Sequence, residues 1–212
     1  MPAVSSEDGA GPRPLSDAVS SPPSADNADR GALRRCAIGD SAGLRDLADR
    51  HGAGLLAYLT GVVGDPRLAE ELVQDTLLGA WRGAAGFVGG STVRTWLFAI
   101  ARRRTGEVLR RRSPLIDLDA DNDLVEIADV RPGPESVAVA SARLTDIAAG
   151  LRGLSASHRE VILLTCVHEL SMAEASAVIG VPIGTVKSRL SNARRALGRA
   201  LGVSKSGDPD GD

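Results

Sequence analysis

The sequence predicts an all-α protein: two small helical domains joined by a flexible acidic linker. Three observations carry this. Aromatic residues make up only 2% of the 212, so a core has to be built from Leu, Val, Ile and Ala, which suits helical bundles better than a sheet sandwich. Apolar residues recur at helical spacing in two separate stretches. Charge is laid out in blocks. The formal net charge is −2, yet residues 1–32 carry −3, 33–112 carry +5, 113–142 carry −6, 143–202 carry +4 and 203–212 carry −2. Two basic blocks separated by an acidic one are hidden inside a near-neutral total.

Taken in order, residues 1–30 are rich in Pro, Ser, Asp, Gly and Ala without periodicity and read as a disordered tail. A helical pattern begins near Asp29, with Leu33, Cys36 and Ala37 on one side, and pauses at Gly39-Asp40. It resumes through Leu44, Leu47, Ala48, Leu55, Leu59 and Val62, where Gly52 and Gly54 are poor helix formers. Asp65-Pro66 is a start signal, an Asp N-cap followed by Pro at N1. The helix it opens runs to about Arg82, with Leu68, Leu72 and Trp81 inward and Glu70, Glu71, Gln74 and Asp75 as an acidic and polar outer stripe. By itself that stripe is a solvated face favoured by the helix dipole.

The loop GAAGFVGGST over residues 83–92 has neither the GxxxxGK[ST] spacing nor a Lys, so it is not a P-loop. Ser91 is the expected cap of the next helix. Val93, Trp96, Leu97, Ile100 and Val108 face inward there, and Arg94, Arg102, Arg103, Arg104 and Arg110 to Arg112 outward. Residues 113–142 combine seven acids and one Arg with Pro114, Pro132, Gly133 and Pro134, and read as linker. From Ala138 to Gly153 a helix places Leu144, Ile147, Ala148 and Leu151 on one face. HREVILLTCVHEL follows, capped by Ser155 or, with Glu160 closing a better box, by Ser157.

Glu169 to Leu201 reads as two helices and a tight turn. Ser171 and Glu174 have capping-box spacing, Gly180 suits a left-handed C′ position, and Val181-Pro182 stops the helix. A second helix starts near Gly184. Val186, Leu190, Ala193 and Leu197 form one apolar face. Opposite lie Thr185, Lys187, Ser188, Arg189, Ser191, Asn192, Arg194 and Arg195. A short amphipathic helix, a Gly turn and a second helix with a cationic outer face is the helix-turn-helix arrangement for the DNA major groove.

These residues carry a resemblance. LSMAEASAVIGVPI followed by GTVKSRLSNARRAL resembles the σ4 domain of the ECF class of bacterial RNA polymerase sigma factors. AEELVQDTLLGAWRG and TWLFAIARRRTGEVLRRR resemble the same family's σ2 domain, in the expected order. The resemblance implies a disordered tail over 1–30, a σ2-like domain over 31–112, an acidic linker over 113–135, a σ4-like helix-turn-helix domain over 136–202 and a disordered tail over 203–212. It also implies that Glu71, Gln74 and Asp75 dock on the β′ clamp helices of core RNA polymerase, with the β flap a further polymerase contact. Gly90, Ser91, Arg94, Trp96, Arg102 and Arg103 would take the single-stranded −10 element. Thr185, Lys187, Ser188, Ser191, Asn192, Arg194 and Arg195 would take the −35 duplex.

Elementary chemistry supports that division. Capturing an unstacked strand needs a pocket for a base and a cationic track for phosphates, and Gly89, Gly90 and Ser91 let a strand approach the backbone closely. Trp96 is equally suited to stacking on a base and to the core. The linker, in the family, threads the polymerase cleft and RNA exit channel, where its acids would mimic nucleic acid. Asn192 stands where the family often has a basic residue. An Asn amide pairs bidentately with adenine N6 and N7, so this chain is expected to prefer adenine at one −35 position.

The expected function is promoter-specific initiation by core RNA polymerase, with promoter DNA as the second partner and an anti-sigma factor as a third that the family admits. No cofactor, metal site or nucleophile–base pair is expected, so the chain is not read as an enzyme. Cys36 and Cys166 lie in apolar helical patterns and not in a CxxC, and are read as buried free thiols in a reducing cytoplasm. His158 and His168 have no partners at metal spacing and are read as structural. No run reaches the length of a membrane span and no signal peptide is visible. Two rivals remain: a dimeric helix-turn-helix regulator of duplex operators with an N-terminal sensory bundle, and an interaction module whose basic faces are incidental.

Overall fold

The computed structural model describes residues 23–112 and 149–201. The tail over 1–22, the linker and the C-terminal tail over 202–212 lie outside the described residues, as do Leu144, Ile147 and Ala148. All regular structure among the described residues is helical. The elements are α1 (Pro23–Ala37), α2 (Ser41–Val63), α3 (Pro66–Gly83), a 3-10 turn (Ala84–Gly86) and α4 (Val93–Arg112). A helical stretch over 149–152 then leads to α5 (Ala156–Ile162), one widened π turn (Leu163–Val167), α6 (Met172–Ile179) and α7 (Ile183–Ala200).

The first domain is the bundle α1–α4. Helix α1 starts well ahead of the expected domain start at residue 31, because its first two turns hold anchoring acids, Asp26 and Asp29. Asp26 Oδ1 accepts from the Val93 backbone N–H at 2.9 Å, and its other oxygen holds Arg30. Asp29 is buried and takes Arg50 at 3.0 Å and His51 at 2.8 Å from α2. Gly43 allows α1 and α2 to touch: a Cβ there would lie 2.3 Å from the Ala32 carbonyl oxygen. Helix α2 runs unbroken through Gly52 and Gly54. Leu47, Leu55, Leu59, Leu72, Val93, Leu97 and Ala101 make the centre of this core.

Caps decide the boundaries. Asp40 and Asp65 accept from the backbone N–H groups that open α2 and α3, with Pro66 at the first helical position as expected. At α4 the cap is Thr92, whose hydroxyl accepts from Thr95 N–H at 3.1 Å. Ser91, the expected cap, donates its hydroxyl to the Thr92 carbonyl instead. At α5 the cap is Ser155, not Ser157, since Glu160 is drawn away from any capping box into an ion pair. Both errors choose between hydroxyls only a residue or two apart, where local spacing has little power.

The second domain packs α5 and α6 against α7. Residues 154–164 are buried throughout, in keeping with the mixed faces of that stretch. The Ser171–Glu174 capping box forms in full and Gly180 adopts φ 78°. The two domains touch. Helix α4 lies against α6, and α2 against α5.

Candidate nucleic-acid and polymerase interfaces

Helix α7 has the predicted two faces. Val186, Leu190 and Ala193 are buried against α5 and α6, and Lys187, Ser188, Ser191, Asn192, Arg194 and Arg195 are exposed, with Thr185 half-buried. Arg189 departs from the expected outer face. It is 4% exposed, an inward structural arginine rather than a base reader. Asn192 Oδ1 accepts from Arg195 Nη2 at 2.5 Å, so amide and guanidinium sit side by side on the outer surface. Arg194 donates toward Cys166 Sγ at 3.7 Å. Cys166 is exposed beside α7 rather than buried as expected, whereas Cys36 is buried, and burial pushes its thiol pKa up.

On α3, Glu70, Glu71, Gln74 and Asp75 are exposed, as the outer stripe predicts. Leu78, 44% exposed, continues the same stripe one turn on. The sequence reading missed it because a lone exposed Leu looks like ordinary core from spacing alone.

The loop between α3 and α4 has clefts on both sides. One, of about 310 Å³, is lined by Arg30, Arg34, Ala84, Phe87, Val88 and Gly89. The other, of about 430 Å³, is lined by Gly79, Gly83, Trp96, Ile100 and Arg103. Trp96 and Phe87 pack between them as a tilted ring pair with centroids 5.1 Å apart. Trp96 is half-buried, packing by one part and lining a cleft by another. Arg30 lies over the Phe87 ring and donates to the Ser91 carbonyl oxygen at 3.0 Å, which ties α1 to the loop. Gly90 and Arg103 are exposed. Arg30, Arg34 and Phe87 were not foreseen, since only the tertiary fold brings α1 to this loop.

Two predicted strand-binding residues are elsewhere engaged. Arg94 Nη2 donates to the His168 carbonyl oxygen at 2.5 Å, with its guanidinium over the Phe98 ring. Arg102 Nε stands 3.2 Å from Glu160, whose side chain is fully buried. Both contacts reach the second domain. Arg94, Phe98 and Arg102 recur every four residues as a third stripe of α4, and the two arginines, expected to face solvent, turn to the second domain.

Comparison with known proteins decides the family. Residues 47–114 match the model for sigma-70 region 2, and residues 144–197 the model for sigma-70 region 4. The chain is 33% identical to the RNA polymerase sigma factor CnrH of Cupriavidus metallidurans, over 83% of this chain and 95% of that one. It is 37% identical to the ECF RNA polymerase sigma factor SigL of Mycobacterium tuberculosis, over 76% of this chain and 90% of that one. The chain is an ECF sigma factor.

Solved structures agree. One of CnrH with the cytosolic domain of CnrY matches with a TM-score of 0.62 at 27% identity, covering 84% of this chain and 99% of that one. One of the sigma factor RpoE with the anti-sigma factor NepR from Bartonella quintana matches with a TM-score of 0.60 at 33% identity, covering 78% and 99%. As a sigma factor the chain directs core RNA polymerase to promoters, and a dimeric operator-binding regulator is not favoured. Among the described residues no His, Cys, Asp or Glu group is arranged for a metal, and no helix is long and apolar enough to cross a membrane.

Proposed function

We propose that this sigma factor reads the −35 duplex with the outer face of α7 and captures the −10 strand at the α3–α4 loop and α4. The polymerase β′ clamp helices would dock on Glu71, Gln74 and Asp75 of α3, and the β flap on the second domain. The observation that carries the reading is the exposed row on α7, from Lys187 to Arg195, seated on α6 in helix-turn-helix fashion. At the loop, a base turned out of the stack has two clefts of suitable volume, an aromatic pair to lie against and the exposed Arg103 for its phosphates. The domain boundaries follow the same division, with α1–α4 as the −10 and clamp module. The chain supplies positioning and strand opening in the cytoplasm, and polymerase supplies the chemistry.

Arg103 gives the clean test, because Arg102 has a second task. Arg103→Glu in the holoenzyme should reduce permanganate reactivity of −10 thymines severalfold while leaving recruitment to duplex promoter nearly unchanged. Melting at the wild-type level would make Arg103 ordinary surface and remove α4 from the strand path.

A further inference from the structure

The loop over residues 87–92 stands beside the two clefts with little support of its own. Among the described residues, backbone-to-backbone hydrogen bonding stops where the Phe87 N–H meets the Ala84 carbonyl and resumes where the Trp96 N–H meets the Thr92 carbonyl. Gly89 takes φ 81°, a conformation open to glycine, and Gly90 follows it. Val88 is 95% exposed, so its side chain does not anchor the tip. A stretch of this kind holds one shape only when something outside it imposes that shape.

Helix α1 imposes it, through two residues one turn apart. Asp26 divides its carboxylate: Oδ1 accepts from the Val93 backbone N–H at 2.9 Å, and Oδ2 holds Arg30 Nε at 2.6 Å. Val93 opens α4, where the N–H groups have no partner inside the helix. A carboxylate there both satisfies a donor and suits the helix dipole. Arg30 carries the hold across the loop. Its Nη2 donates to the Ser91 carbonyl oxygen at 3.0 Å, and its guanidinium lies 5.4 Å from the Phe87 ring centroid. A Cβ on Gly89 would come within 2.8 Å of Nη1, so the loop backbone also lies against the guanidinium. Phe87, Gly89, Ser91 and Val93 are thus all set by one ion pair. Behind it, buried Asp29 fastens the same stretch of α1 to Arg50 and His51 of α2.

We propose that the Asp26–Arg30 pair is a brace that determines base selectivity at the −10 element, by holding the 87–92 loop in the shape that receives an unstacked base. The inference rests on the assignment of the −10 strand to this loop. Arg30 is a positioning residue. It acts through Phe87 and the loop backbone, which line the cleft beside it, and through Phe87 on Trp96. Unstacking a base is already unfavourable, so a cradle that had first to order itself would bind weakly and tell bases apart poorly. The task calls for arginine. Its flat fork meets a carboxylate, a carbonyl and a ring at once, whereas a Lys ammonium on a flexible stem is a single point of charge.

The test couples the brace to the base it serves. Holoenzyme assembled with this chain is titrated with a fluorescent fork-junction probe of a promoter it transcribes, duplex through the −35 element and with the −10 non-template strand unpaired. An abasic site is placed at each −10 position in turn. Wild type should lose about tenfold in affinity at the position whose base is captured, the scale of one stacked base. Arg30→Ala should bind the intact probe about tenfold more weakly and lose less than about twofold further at that position, because brace and base then act as one unit. Arg30→Lys should behave like Arg30→Ala, since charge without the fork does not hold the loop. Arg34→Ala removes an exposed cation lining the same cleft and should keep the full loss. Thermal unfolding of the free chain checks that each variant folds. Asp26→Asn, which keeps an acceptor for Val93 and drops the charge that holds Arg30, should reproduce the effect and serves if the Arg30 variants do not fold.

The full loss retained in Arg30→Ala, or restored in Arg30→Lys, overturns the brace and leaves Arg30 an ordinary surface charge. A loss abolished equally by Arg34→Ala overturns it too, because any nearby cation then suffices. If no abasic position weakens wild-type binding, the loop captures no base, and the strand assignment falls together with the brace.

Discussion

Asn192 is the residue proposed to set a base preference in the −35 element. Its amide lies beside Arg195 on the exposed face of α7, with Ser188 a turn earlier. Facing adenine, the amide would offer its oxygen to N6 and its nitrogen to N7, giving up the Arg195 contact. The expected result is that Asn192→Ala costs about 1–3 kcal/mol against adenine at one −35 position and relaxes preference there only. Transcription from a promoter library randomised over the −35 element reads this directly, and identical preferences in wild type and variant would refute it.

His168 sets a pH dependence of the fold. Burial, and then the nearby Arg94 charge, lower its pKa from 6.5 to about 4. The neutral ring is the form that packs against Phe98 and Tyr58. Stability is therefore full above about pH 6.5 and falls as pH drops toward 4, because the unfolded chain takes up a proton that the closed fold refuses. Urea midpoints measured across this range should fall less steeply for His168→Gln than for wild type. Equal slopes would mean that the ring is not held neutral by its surroundings.

Helix α3 is the element whose outer face has least to do with folding. Glu71, Gln74 and Asp75 are exposed, and no neighbour in the bundle explains the stripe. Glu71→Ala with Asp75→Ala should weaken core polymerase binding about tenfold, the equivalent of about 1.4 kcal/mol. Thermal stability should change little, since such surface substitutions stay within about 0.5 kcal/mol. Unchanged affinity would move the clamp dock off α3. Element ends were legible wherever a signal was local and redundant. Asp65 before Pro66, Ser171 before Glu174 and Gly180 before Val181-Pro182 each pair a capping group with a breaker or a partner, and all three formed. Thr92 was missed and Ser157 preferred over Ser155 because competing hydroxyls stood nearby, and the start of α1 was missed because it depends on Val93, 67 residues away from Asp26.

At the scale of the whole molecule, two basic helical domains were visible in charge blocks and motifs, but their contact was not. Arg94 and Arg102 have the pattern of solvent-facing cations, and only the tertiary arrangement turns them to His168 and Glu160. Glu160 fitted a capping box on spacing alone, yet it sits fully buried between domains. Arg189 likewise belongs by spacing to the DNA-facing row and by structure to the interior. Long-range pairing of this sort leaves no periodic trace in a single chain.

As a sigma factor this chain gives promoter specificity to core RNA polymerase rather than acting on DNA alone. Run-off transcription with purified core polymerase on a library of promoter fragments tests it most directly. Initiation from a discrete subset sharing −35 and −10 elements is expected only when this chain is added, with weak DNA binding by the chain alone. Tight binding of the chain by itself to a two-fold-symmetric duplex, without polymerase-dependent transcripts, would contradict it.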